Sequence, residues 1–328
     1  MNASDGIAAI SASAPLRKVI VVGAIRGELG DNRIGGQAFA CRSLMESRLS
    51  EVFDFVGIDS SIDSIKSTSG IGRLPSAVSR FAQLIWHLAR YRRASCLLFC
   101  SHGLSFIEKG MMTLIARLMG AKVLLLPRSG HLLAQVERNR LFASFVRLVA
   151  CRATLVVCQS QSWHDYFAAL TGGRAHCTVV ENWLPDAAFV PVDAPISGSG
   201  GESFVVGYFN RIEPAKGILD FVEAVAIASR QSPALRAVIY GDGNGVQALK
   251  DLIVERGLSD VVEYRGWLEG SRKQSKLRRL DAYLFASHVE GFPNSLLEVL
   301  ALKVPVVAVR VGAVADVLVD EQSAFLTD

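Results

Sequence analysis

An apolar run of four to eight residues that stops at glycine, serine, asparagine or proline, followed by a stretch with helical spacing, recurs along the whole of this 328-residue chain. Eleven such runs can be read, from "RKVIVVGA" at 17–24 to "PVVAVR" near the end. Runs that are apolar throughout, without polar alternation, suit strands covered on both faces, which is the parallel arrangement. Alternation of strand and helix makes that arrangement a doubly wound α/β sheet. The pattern breaks once, at "PVDAPISGSGGES" (191–203), which is rich in Pro, Gly and Ser and has no period. Two Rossmann-like domains are therefore expected, over 1–197 and 204–328, with a linker at about 191–203.

Half of the residues are hydrophobic, enough for two full cores, and no run is long enough to span a bilayer. The opening "MNASDGIAAISASAP" has an acid and no basic start, a poor leader peptide, so a cytoplasmic protein is expected. All six cysteines lie before residue 180 without paired ligand spacing, and they read as reduced core residues with no metal site. The net charge of +4 hides a split: 21 Lys/Arg against 14 Asp/Glu over 1–197, but 14 against 17 over 198–328. The basic first half suits an anionic membrane surface or a phosphorylated acceptor; a nucleic-acid partner is not expected.

In the first half, "GELGDNRIGG" runs into a helix without forming G-x-G-x-x-G, so the dinucleotide fingerprint is absent. Gly35 and Gly36 there suit close approach to a ligand and equally suit a plain tight turn. "SAVSRFAQLIWHLARYRRA" (76–94) is amphipathic, with Phe81, Leu84, Ile85 and Leu88 on one face among arginines. Such a helix fits the core or an anionic lipid surface, and core packing is the expectation. "AKVLLLPRSGH" is a strand with Arg128 to His131 at its C-terminal end. That edge of an open sheet borders the binding crevice, which makes His131 a candidate, against an ordinary loop histidine.

The second half carries the denser signal. Arg211 and Lys216 lie in the loop after "FVVGYF", with Lys216 immediately before a helix, where a cation opposes the helix dipole. A bound anion explains that placement, with Arg211 as a forked phosphate donor and Lys216 as a point charge; a solvated surface pair is the bland alternative. Gly241, Asp242 and Gly243 form a glycine-lined turn suited to a base or ribose. Glu290-Gly-Phe-Pro-Asn-Ser-Leu-Leu-Glu298 passes from a strand end into a helix start. Gly291, Phe292, Pro293, Asn294 and Ser295 would lie at that start, where free N–H groups favour an anion. Ser295-x-x-Glu298 also reads as a capping box, in which Glu298 reaches back to the backbone.

"NRIEPAKG", "YGDG", "EGFPNSLLEVLALKVPVVA" and "VGAVADVL" together resemble the second domain of retaining GT-B-fold glycosyltransferases of the family 4 type, glycosyl transferases group 1. The resemblance covers 204–328 well and the first domain only in outline. It implies two Rossmann-like domains facing across a cleft, and transfer of a sugar from a UDP- or GDP-linked donor to a glycan or lipid-linked acceptor with retention. Cell-surface polysaccharide synthesis on the inner membrane face is the setting it suggests. It assigns Arg211 and Lys216 to the donor diphosphate, Glu290 to the sugar hydroxyls, Glu298 to the ribose, and backbone N–H groups of Phe292 to Ser295 to sugar and phosphate. His131 would approach the sugar from the first domain, and no cofactor or metal is required. The chain departs from the family at Asn210, Lys303 and Ala313, where glycine is usual, and at Asp316, where glutamate is usual. It also stops at Asp328, short of the helices with which members continue. A sugar-nucleotide epimerase of the same fold, and a shortened non-catalytic nucleotide-sugar-binding relative, are the competing readings.

Overall fold

The structure, a computed structural model, describes residues 16–25, 36–61, 74–92, 94–185, 203–268 and 270–327. The chain divides into two compact units, Met1–Asn182 and Trp183–Asp328, so the unit boundary precedes the expected linker, most of which lies outside the described residues.

The first unit is a six-stranded parallel sheet with strands β1 (Arg17–Gly23), β2 (Phe53–Asp59), β3 (Ser95–Cys100), β4 (Lys122–Pro127), β5 (Leu155–Cys158) and β6 (Cys177–Val179). Their spatial order is β2-β1-β3-β4-β5-β6, so the winding reverses between β1 and β3. Its helices are α1 (Gly36–Met45), α2 (Leu74–Arg90), α3 (Leu104–Leu118), α4 (His131–Arg138), α5 (Arg140–Arg152) and α6 (Gln161–Thr171). Ile20, Val22, Leu98, Val123, Leu125 and Val156 of the sheet meet Leu84, Phe106, Met112, Val146 and Trp163 of the helices in one core. Each such side chain stabilises the fold by about 1.5–3 kcal/mol through burial. All six cysteines are free thiols, and Cys41, Cys96, Cys100 and Cys158 are buried.

The second unit repeats the plan with β7 (Phe204–Phe209), β8 (Leu235–Tyr240), β9 (Val262–Tyr264), β10 (Ala282–Phe285), β11 (Val306–Val309) and β12 (Phe325–Thr327). The order is β12-β11-β10-β7-β8-β9, again wholly parallel, and the reversal falls between β7 and β10. Helices α7 (Ile218–Gln231) and α8 (Val246–Glu255) contribute to one core with Tyr208 and Ile239. α9 (Gly270–Leu277), α10 (Asn294–Ala301) and the short α11 (Val314–Val317) contribute to the other with Val238, Tyr283, Phe285 and Val306. The fold is therefore the pair of doubly wound parallel sheets read from the alternation.

Three readings change. α4 was not expected: Gly130 before it and Asn139 after it punctuate the two-turn helix "HLLAQVER", and His131 is its first residue rather than a loop residue. In α2, Leu84 and Leu88 are buried, but Ile85 is 43% exposed and does not share the core face. The capping box is absent. α10 begins at Asn294 with Pro293 at its cap, so Ser295 is already inside the helix and Glu298 falls one residue beyond the first turn.

Candidate functional site

In an open parallel sheet the strand ends on either side of the winding reversal leave a crevice that adjacent helices do not fill. In the second unit this point is bounded by the loops after β7 and β10, and these carry Arg211, Lys216 and Glu290.

The two loops are locked backbone to backbone. Tyr208 is buried at the end of β7 and its hydroxyl reaches the carbonyls of Arg211 (2.9 Å) and Lys216 (3.0 Å), stapling both ends of the first loop. Burial pushes its phenol far above the usual range, so it stays a neutral donor. A short 3₁₀ turn, Pro214–Lys216, then delivers Gly217 at φ 68°. A Cβ there would stand 1.7 Å from the Ala286 carbonyl oxygen, so only glycine lets the β7 loop seat on the β10 loop. The amide of His288 donates to the Ala215 carbonyl at 3.1 Å across the same seam.

This seam sets the central geometry. Lys216 Nζ lies 2.8 Å from Glu290 Oε1 and donates to the Val289 carbonyl at 3.0 Å, with both side chains largely buried. A buried ion pair is costly unless matched in this way, and either member alone would be an uncompensated charge. Arg211 is half-exposed at the rim and donates from Nε to Glu213 at 2.7 Å.

Around this pair, the cap of α10 offers no side-chain acceptor, and Ser295 Oγ sits 3.4 Å from the Tyr283 hydroxyl. Glu298 is ion-paired with Lys273 of α9, whose ammonium stands 4.9 Å over the Phe209 ring. No hydrogen bond reaches Glu298 Oε2, although the ion pair approaches it. Gly291 and Phe292 bridge the strand and the helix, and Gly291 accepts the Ala313 amide at 3.1 Å. Gly312 takes φ 55°, and a Cβ there would stand 2.4 Å from the Glu290 carbonyl oxygen.

Gly241 and Gly243 are needed for close approach, as the sequence suggested, but the partner seen is the chain itself. A Cβ on them would lie 2.0 Å from the Asn210 carbonyl and 2.4 Å from that of Ile212. Asp242 turns its carboxylate onto the Gly243 amide at 2.7 Å. The structure thus brings Arg211, Lys216, Glu290, Ser295 and Glu298 to one strand edge, with the 241–243 turn behind them. A groove of about 530 Å³ lined by Arg236, Tyr240, Glu263 and Arg279 lies against β8 and β9 and shares none of these residues.

Lys273 went unnoticed in the sequence, and the signal was there: "SRKQSKLRR" places a basic helix directly before the strand that leads to two glutamates.

In the first unit, Gly36 opens α1, while Gly35 lies outside the described residues. His131 is exposed, and its ring centroid stands 5.1 Å from that of His102, whose Nδ1 is 3.0 Å from Ser129 Oγ and 3.1 Å from Ser101 Oγ. Partial burial, and then the neighbouring His131, hold His102 below the usual imidazole range. Arg128 is drawn down to about 10 by burial, with its guanidinium 5.7 Å from the Phe99 ring. Among the described residues, no group of three or more His, Cys, Asp or Glu is placed to hold a metal ion.

Residues 191–328 match the family of glycosyl transferases group 1. That segment holds every residue of the second-unit site. A glycogen synthase of Mycobacterium tuberculosis is 29% identical over 171 residues, which span 52% of this chain and 40% of that protein. The chain thus spans less than half the length of this curated relative. Among solved structures, the sucrose-phosphate synthase of Thermosynechococcus elongatus aligns with 94% of this chain and 85% of its own at a TM-score of 0.75 and 15% identity. The Anabaena protein HepE, solved with UDP and glucose, aligns with 95% of this chain and 85% of its own at a TM-score of 0.66 and 19% identity. At these identities the structural likeness establishes the fold, which is that of GT-B glycosyltransferases.

Proposed function

We propose that the chain is a glycosyltransferase that moves a sugar from a nucleoside-diphosphate donor to a hydroxyl of a glycan or lipid-linked acceptor, in the synthesis of cell-surface polysaccharide on the cytoplasmic side. The observation that carries this reading is the buried Lys216–Glu290 pair at the winding reversal of the second unit, within the segment that matches the family. A cation and a carboxylate 2.8 Å apart supply what a sugar diphosphate needs at one point, a charge for the phosphate and an acceptor for sugar hydroxyls. HepE, solved with UDP and glucose, supports a uridine nucleotide as the first donor to try.

In this reading the diphosphate recruits Lys216 and the rim guanidinium of Arg211, and Glu290, released from Lys216, orients the donor sugar. The N-terminal, positive dipole end of α10 is turned to the same anion, and Glu298 takes ribose hydroxyls. The acceptor oxygen forms its bond to the anomeric carbon as the bond to the β-phosphate breaks. The acceptor's proton passes to the departing phosphate oxygen, so no protein base is used and configuration is retained. The cations work by holding charge as it develops on the leaving diphosphate. His131 would meet the sugar from the first unit. Neither metal nor cofactor is invoked.

A thermal-shift panel of UDP- and GDP-sugars tests the reading, because a ligand at a hundred times its Kd stabilises a fold by about 2.7 kcal/mol. Lys216→Ala should weaken binding of the stabilising nucleotide by about 1.5–3 kcal/mol, as for loss of a charged hydrogen bond. Unchanged affinity removes the phosphate assignment. Release of nucleotide with an epimerised sugar, in the absence of an acceptor, replaces transfer by isomerisation.

A further inference from the structure

β9 is the edge strand of the second sheet, and the two faces of the sheet beside it differ. Alternation turns Ala237, Ile239, Val262 and Tyr264 of β8 and β9 into the core under α7 and α8. It turns Arg236, Val238, Tyr240, Glu263 and Arg265 to the opposite face. There Lys276 of α9, with Arg279 and Leu280 behind it, forms a second wall, and the space between is the groove of about 530 Å³. That volume lies within the range of about 300–1,000 Å³ typical of ligand pockets. Buried Val238 and Leu280 give the groove an apolar floor.

The charge of the groove runs against that of its unit. Residues 198–328 carry 14 Lys or Arg and 17 Asp or Glu, yet four cations (Arg236, Arg265, Lys276, Arg279) and two acids (Asp260, Glu263) line the groove. Glu263 is already matched by Arg265 at 2.6 Å. Among the described residues Arg236, Lys276 and Arg279 have no carboxylate partner, and Arg236 gives only Nη1 to the carbonyls of Pro233 and Leu235. Cations gathered in this way repel one another, and a bound anion relieves that repulsion. Tyr240 adds an observation of a different kind. It is 4% exposed, and among the described residues its hydroxyl has no hydrogen-bond partner, whereas the buried Tyr208 and Tyr283 of the same sheet each donate to a carbonyl. Burial raises its phenol above the usual range, with Arg265 and Arg279 close enough to act the other way, so it stays a neutral donor. Two guanidinium groups and one phenol O–H around a point suit phosphate oxygens. A phosphomonoester carries a charge of about −1.5 to −2 at neutral pH, which matches the groove's excess of two cations. The apolar floor serves the organic part of such an ester and offers nothing to a bare ion.

We propose that the groove between β9 and α9 binds a small phosphomonoester, a sugar phosphate or a nucleoside monophosphate, through Arg236, Arg265, Arg279 and the Tyr240 hydroxyl. The groove shares no residue with the Lys216–Glu290 site and does not depend on the reaction proposed there.

Titration calorimetry of the full chain, with and without excess UDP, tests this. A hexose 6-phosphate and a nucleoside monophosphate are the probes, with inorganic phosphate and the free hexose as references. At least one ester should bind more tightly than inorganic phosphate and keep its affinity in UDP, while the free hexose should not bind. Arg279→Glu, a change on the surface, should weaken that ester by at least about tenfold. Tyr240→Phe keeps the ring, removes only the O–H, and should weaken it by about fivefold at an unchanged thermal midpoint. Lys216→Ala should bind the ester as the wild type does, so failure of the donor-site reading leaves this measurement intact. Esters no tighter than inorganic phosphate, esters displaced by UDP, or binding that neither groove variant lowers overturn the proposal. So does a wild-type dimer that Arg279→Glu dissociates, which would make the groove a contact between copies.

Discussion

Lys303 offers a direct measure of how α10 is held. The helix closes with Leu302 as its cap, after which Lys303 takes φ 59°. The Lys303 amide donates to Leu300 and that of Val304 to Val299, the two reversed bonds of a Schellman ending, and Val299 and Val304 share a core cluster. The conformation is thus fixed from both sides, at a position where a lysine resists it. The left-handed region costs a residue with a Cβ about 1–2 kcal/mol, and glycine returns about 0.5–1 kcal/mol of that through the greater freedom of its unfolded chain. Lys303 is exposed, so no packing is lost on truncation. Lys303→Gly should therefore stabilise the second unit by about 0.5–1 kcal/mol, raising its midpoint by about 2–4 °C. Urea unfolding of the full chain followed by circular dichroism measures this, with Lys303→Ala as control because it keeps the Cβ and should stay at the wild-type value. If the glycine variant is no more stable than the alanine variant, the strain assigned to Lys303 does not exist.

Gly217→Ala drives a methyl group into the Ala286 carbonyl and should cost more than about 3 kcal/mol, seen as a collapsed melting midpoint or loss of soluble protein. Burial pushes Cys41, Cys96, Cys100 and Cys158 up to about 12, so at pH 8 Ellman's reagent should titrate no more than two of the six thiols in the native protein and all six after unfolding. His87 and His102 are held below the usual imidazole range, chiefly by burial, so the unfolded chain binds protons more readily than the folded one. Stability should be fullest above about pH 6.5 and fall as the pH drops below it, and His102→Gln should flatten part of that slope in urea melts taken from pH 7 to pH 5.

What the sequence could convey followed from period and from punctuation. β1, β4, β7 and β11 are apolar runs cut off by glycine, proline or polar residues, and their boundaries could be read to within a few residues. Arg211, Lys216 and Glu290 could be placed on one sheet edge because strand alternation fixes which loops share it. Their pairing could not, because it depends on Gly217 letting one loop rest on another 70 residues away. The capping box failed for a local reason: Ser295 and Glu298 have the right spacing, but with Pro293 as the cap the helix starts two residues early. α11, a single turn, and β12, which closes the described chain, were missed.

The interlocked loops of the second unit limit how such a site can change. Gly217 rests on Ala286, Gly241 and Gly243 on Asn210 and Ile212, and Gly312 on Glu290, each with no room for one carbon atom. Four loops from different parts of the chain therefore behave as a single casting, and an insertion or deletion in any one of them would misalign the other three. In laboratory evolution toward a new donor, productive changes should cluster in side chains at the rim, such as Arg211, while libraries that vary loop length there should return unfolded protein. The scaffold has traded adaptability of its backbone for a carboxylate and an ammonium held in place before any ligand arrives.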